Sequence, residues 1–133
     1  MLMLQNLFSK SCNMVNVAIV NKLTSDAKIL ITGGSGVVGL HLYQAFVQAG
    51  IRKDNITSTY FSRDVKHLEK VFDGINFVKY KDISVLADKS FDVILHCATY
   101  GQPLMYTSNQ MDTLELNTAD QFKLLKKLKP NGY

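Results

Sequence analysis

Residues 28–39 read Lys28-Ile29-Leu30-Ile31-Thr32-Gly33-Gly34-Ser35-Gly36-Val37-Val38-Gly39, an apolar run that breaks into a glycine-spaced turn and then a helical pattern. Ile29, Leu30 and Ile31 suit a strand buried on both faces. Gly33, Gly36 and Gly39 follow at a spacing of three. The first permits a tight turn, the second removes a Cβ where a pyrophosphate must approach the backbone, and the third lets the next helix pack close to the strand. Val37 and Val38 open that helix and are expected to present backbone N–H groups and the positive end of its dipole to phosphates. Thr32 and Ser35 can hydrogen-bond either the turn itself or a phosphate.

Working outward, further strands are expected at 56–61, 75–80 and 91–97, in addition to the first at 28–32. Helices are expected at 37–49 and 64–71, with a single turn at 85–89. A long last helix is expected over 110–128, after a loop at 99–109, with Leu114, Leu116, Phe122, Leu124, Leu125 and Leu128 as its apolar side. Strands alternating with helices imply an α/β fold with a doubly wound parallel sheet, in the order 3-2-1-4. Residues 1–26 read as an N-terminal extension, with Leu4, Leu7 and Phe8 at helical spacing and Val15, Val17 and Ile19 alternating. The domain proper is expected over 27–133. Residues 129–133 read as the approach to a fifth strand that the sequence does not reach, which leaves the fourth strand as an open edge.

The chain has 133 residues, 47% of them hydrophobic and 20% charged, which suits one ordinary globular domain. The formal net charge of +4 is mild. The cluster Lys123, Lys126, Lys127 and Lys129 is expected to be a solvated helix face rather than a nucleic-acid surface. No apolar run is long enough to span a membrane, and polar residues interrupt the amino-terminal leucines, so a cytoplasmic protein is expected. Cys12 and Cys97 have no metal-ligand spacing, and Cys97 reads as a small buried hydrophobe in the fourth strand.

The glycine turn over 32–39 resembles the nucleotide-binding signature of the extended short-chain dehydrogenase/reductase family, and three further matches follow in order. Asp82-Ile83 resembles the acidic segment that approaches the adenine. Phe91-Asp92-Val93-Ile94-Leu95-His96-Cys97-Ala98 resembles the family's fourth strand, which ends beside the cofactor. Glu115-Leu116-Asn117-Thr118 resembles the Asn-bearing start of the following helix, although Asp120 stands where family members often carry Gly. Gln102-Pro103 with Asn109 and Thr113 looks most like the sugar-nucleotide branch, with its UDP-glucuronate decarboxylases and dTDP-glucose dehydratases. The resemblance implies a Rossmann-like fold and NAD or NADP as cofactor. It places Gly33, Ser35, Gly36, Val37, Val38 and Gly39 at the pyrophosphate. Ser62 and Arg63 fall at the adenosine ribose, where their chemistry leans to NADP while the branch leans to NAD. Asp82 and Ile83 fall at the adenine, and Cys97, Ala98 and Thr99 at the nicotinamide side. Asn117 is either an orienting residue or a structural tie, and His96 is expected to be structural.

The family's acid/base pair is Tyr-x-x-x-Lys, and none of the six tyrosines has a lysine four positions later. The expectation is therefore the cofactor-binding N-terminal part of a sugar-nucleotide epimerase, dehydratase or decarboxylase, possessing no catalytic residues of its own and forming, as family members commonly do, a homodimer. The alternative is a non-catalytic dinucleotide-binding regulatory module.

Overall fold

Every side chain of strand β1 (Ile29–Thr32) is buried, and the strand is paired on both edges. On one side β2 (Ile56–Tyr60) sets Ile56 opposite Ile29 and Ser58 opposite Ile31. On the other, β4 (Val93–His96) sets Val93 opposite Ile29 and His96 opposite Thr32. Strand β3 (Asn76–Lys79) adds outside β2. All three pairings are parallel, in the order β3-β2-β1-β4. This is the expected doubly wound sheet. The structure is a computed structural model that describes residues 23–61, 64–80, 86, 89–100 and 103–130.

Helix α1 (Val37–Gln48) lays Leu40, Tyr43 and Phe46 on the face formed by Ile29, Ile31, Ile56 and Val93. Its end is a Schellman motif: the N–H of Ile51 bonds the Phe46 carbonyl and that of Gly50 the Val47 carbonyl. The motif needs a left-handed residue, which Gly50 supplies at φ +90°. Helix α2 (Lys66–Val71) adds Leu68, and Phe72 just beyond it packs edge-on against Tyr43, with ring centroids 6.3 Å apart. The opposite face of the sheet is covered by Leu86, Phe91 and Leu124, packed on Leu30, Val78 and Ile94.

The last third of the chain departs from the expected single helix over 110–128. It forms α3 (Pro103–Ser108), α4 (Gln110–Asn117) and α5 (Ala119–Leu125). At Asn109 the side-chain amide bonds the Met105 carbonyl, at 3.1 Å. At Thr118 the hydroxyl takes the Leu114 carbonyl at 2.6 Å, which would otherwise receive that residue's own N–H. Both residues leave helical geometry. The loop expected over 99–109 is thereby largely helical. The expected apolar side also divides: Leu124 is buried, while Phe122 is 69% and Leu125 58% exposed.

Past α5 the chain returns to the sheet. Phe91 N–H bonds the Lys127 carbonyl and Lys129 N–H the Phe91 carbonyl, both at 2.9 Å. Leu128 thus forms a parallel bridge at the foot of β4, on the edge away from β1. Asp92 secures this corner: it accepts the Lys28 N–H at 2.8 Å and the Lys129 ammonium at 2.7 Å. Lys127 Nζ donates to the Leu86 carbonyl at 2.8 Å. Two of the four clustered lysines therefore hold the sheet, in place of the wholly solvated face expected. The proposed turn at 85–89 falls mostly outside the described residues, as do the elements expected over 1–22.

Leu124→Ala removes the buried anchor of α5 and is expected to cost about 2–5 kcal/mol in denaturant unfolding, whereas Leu125→Ala one position later stays within about 0.5 kcal/mol. Burial alone would raise the Asp92 carboxyl, but bonds from Lys129 and from the Lys28 N–H win and lower it. Its stabilisation is accordingly full above the ordinary carboxylate value and is lost as pH falls through the lowered one. Asp92→Asn should flatten that acid limb of the unfolding-against-pH curve.

Candidate functional site

The carboxyl ends of β1 and β4 meet at the glycine turn. Gly33 has φ +67°, and a Cβ there would lie 2.7 Å from the Cys97 carbonyl oxygen and 2.8 Å from the Ala98 backbone. Turn and loop therefore touch backbone to backbone. At Gly39 a Cβ would lie 2.5 Å from Gly34 Cα and 2.6 Å from the Gly33 oxygen, so only glycine lets α1 start this close to the turn. Gly36 differs. It caps α1, its N–H bonds the Gly33 carbonyl at 2.9 Å, and a Cβ there would meet only that oxygen, at 3.2 Å, among the described residues. Its outer side is open.

The first turn of α1 has no side-chain cap and no acidic residue. Val37 and Val38 in it are 72% and 61% exposed, and Ser35 beside them is buried. The N-terminal end of the helix thus faces outward with unneutralised N–H groups, which favours an anion.

Hydroxyls fasten the turn from below. Thr59 Oγ1 accepts the Gly33 N–H at 3.2 Å. Thr32 Oγ1 accepts the Ala98 N–H at 3.2 Å and lies 2.9 Å from His96 Nδ1, while the Thr32 carbonyl accepts the Cys97 N–H. Ser58 sits directly under Gly34, where a Cβ would come within 2.5 Å of its own Cβ, and its hydroxyl has no partner among the described residues. Burial lowers the proton affinity of His96 against the opposing charge of Asp120, and burial pushes the Cys97 thiol up.

The structure therefore brings together Gly33, Ser35, Gly36, Val37, Val38, Gly39, Cys97 and Ala98, with Thr99 following them on the exposed side. Ser62, Arg63, Asp82, Ile83 and Gln102 lie outside the described residues. Asn117 closes α4 instead of opening a helix, and its amide bonds the Thr113 carbonyl at 2.7 Å. Thr113 in turn bonds the Asn109 carbonyl, so both branch-marking residues are engaged within their helix. Gly34, Ser58 and Thr59 belong to the same cluster. A run of hydroxyl residues, Thr57-Ser58-Thr59, inside a buried strand is the signal that announces them, because each needs a partner there. No helix among the described residues is long and apolar enough to cross a membrane.

Comparison with known proteins fits this geometry. The pattern of the NAD dependent epimerase/dehydratase family matches residues 29–133. UDP-glucuronic acid decarboxylase 6 of Arabidopsis thaliana is 27% identical over 102 residues, covering 76% of this chain and 30% of that protein. The solved structure of an epimerase from Methanothermobacter thermautotrophicus shares the fold with a TM-score of 0.59 at 23% identity, over 76% of this chain and 31% of its own. The chain thus spans under a third of the length of these relatives. The family match begins at β1 and runs through the turn, β4 and the helices after it, so the chain belongs to the NAD dependent epimerase/dehydratase family.

Proposed function

We propose that the chain is the dinucleotide-holding part of an NAD(P)-dependent enzyme acting on a sugar nucleotide. The observation that carries this is the open outer side of Gly36 at the head of an uncapped helix, between two glycines packed too tightly for any side chain. A pyrophosphate fits there: Val37 and Val38 offer N–H groups, and no carboxylate in that turn opposes it. In this reading Ala98 and Thr99 line the nicotinamide-side ribose next to Gly33 and Cys97. Ser62 and Arg63 serve the adenosine ribose, Asp82 and Ile83 the adenine. Asn117 acts as an orienting residue or a helix tie. The cofactor, NAD or NADP, supplies the hydride acceptor for a sugar hydroxyl when bound.

The sugar-nucleotide class follows the name of the Arabidopsis relative and the residues Asn109 and Thr113. The acid/base pair belongs, in this reading, to the portion of the family's length that this chain does not span. The protein is cytoplasmic, without nucleic-acid or membrane partners. It pairs as a homodimer, which the exposed Phe122 and Leu125 support. The second reading is a non-catalytic dinucleotide-binding regulatory module. A genomic reading frame continuing past Tyr133 into a Tyr-x-x-x-Lys pair decides for the enzyme, and a complete frame without one decides for the module.

Titration with NADH and NADPH, followed by nucleotide fluorescence, should saturate below about 1 mM, a binding free energy near −4 kcal/mol. Gly36→Ala should leave unfolding within about 1 kcal/mol of the parent. It should also weaken the nucleotide at least tenfold, about 1.4 kcal/mol. Gly39→Ala meets fixed backbone atoms and should instead lower stability by about 1–3 kcal/mol. No saturable signal from the folded parent would sink the dinucleotide reading.

A further inference from the structure

Four large apolar side chains stand exposed on α4 and α5: Met111, Leu114, Phe122 and Leu125, at 75%, 57%, 69% and 58%. Their places are symmetric about Thr118. Leu114 and Phe122 lie four residues to either side of it, Met111 and Leu125 seven. Those steps are close to one and two helical turns, so the four positions form a stripe that passes through Thr118. A groove of about 150 Å³ crosses the break between the helices, lined by Asn117, Thr118, Gln121, Phe122 and Leu125, and joins the two halves of the stripe. Hydrogen bonds within α4 already engage the polar groups at its centre. The Thr118 hydroxyl donates to the Leu114 carbonyl at 2.6 Å, and the Asn117 amide to the Thr113 carbonyl at 2.7 Å. An apolar partner can cover them without orphaning those donors.

Charge divides at the same point. Helix α4 carries Asp112 and Glu115 and no basic residue, whereas α5 and the turn after it carry Lys123 and Lys126, and all four side chains are exposed. We propose that this stripe is a self-complementary docking surface for a second copy of the chain, the two α4–α5 segments crossing antiparallel with Thr118 on the two-fold axis. Met111 then faces Leu125 of the second copy, and Leu114 faces its Phe122 at the mouth of the groove. Asp112 and Glu115 fall two residues, about 3 Å along the axis, from Lys126 and Lys123 of the second copy. A parallel pair would set acid on acid and lysine on lysine. A two-fold interface requires a patch that complements itself, and the symmetric spacing with opposite charge at its two ends meets that requirement. The stripe is only about 21 Å long. It therefore belongs with the small interfaces, under about 1,200 Å², and dissociation constants between about 1 μM and 1 mM are expected.

The inference rests on the homodimer reading above and needs no bound nucleotide. Sedimentation of the 133-residue chain from about 10 μM to about 1 mM should show a monomer–dimer equilibrium. Phe122→Ser should weaken it at least tenfold, while Leu104→Ser, equally exposed but on α3 and off the stripe, should leave it unchanged. Asp112→Lys and Lys126→Glu should each weaken association alone, because every charge pair in either dimer becomes like on like. An equimolar mixture of the two should recover it, since the mixed dimer sets lysine against acid at both pairs. A chain that stays monomeric throughout assigns the stripe to another partner and overturns both the homodimer reading and this interface. A dimer that ignores Phe122→Ser, or is not recovered on mixing, leaves the homodimer reading standing and overturns this interface alone. Should Asp112→Lys fail to fold, the mixture of Glu115→Lys with Lys123→Glu decides in the same way.

Discussion

Where β1 ends, backbone passes so close to backbone that a methyl group has no place: Gly33 against Cys97 and Ala98, Gly34 over Ser58, Gly39 against the turn itself. Much else follows from that crowding. Because no side chains separate the segments, their polar groups must be satisfied by one another, and the hydroxyls of Thr32 and Thr59 are the available partners. Because α1 begins against the turn, its first N–H groups point away from the core and stay uncapped. Among the glycines of the turn, Gly36 has the most room, and it sits at the head of the helix where those groups lie.

The parts of this arrangement that repeat a local chemical rule are legible in the sequence. A buried three-residue apolar run, three glycines at fixed spacing and a helical apolar pattern suffice for β1, the turn and α1, and alternation along the chain suffices for the sheet order. The structure departs from the sequence pattern at polar side chains whose partners, one turn back or far along the chain, apolar spacing does not reveal. Thr118 and Asn109 look acceptable within a helical pattern, yet each diverts a carbonyl and breaks it. Lys127 and Lys129 look like a solvated stripe until Leu86 and Asp92, far back in the chain, are beside them.

The two faces of the sheet are also unequal. Under α1 the core is continuous and apolar, anchored by Ile29, Ile31, Ile56 and Phe46. Under α5 it narrows to Leu30, Leu86, Phe91 and Leu124 and turns polar towards the carboxyl end. Few apolar contacts and several hydrogen bonds make α5 the less firmly held side, and local opening of a native protein starts at such places. The outward-facing Phe122 and Leu125 belong to the same weakly anchored element.

The hydrogen bonds at the turn also fix an order of assembly. Gly33 finds Thr59 at a sequence separation of 26, but Thr32 finds His96 only at 64 and Ala98 only at 66. A ribosome therefore delivers β1 and its glycines long before it delivers the strand that completes them. In the interval β1, the most apolar strand of the sheet, has one edge paired and one edge bare. Loop closure over such distances is slow, and an uncovered central strand invites pairing with another chain. The signature that is easiest to recognise in this sequence is thus among the last pieces of the structure to be finished.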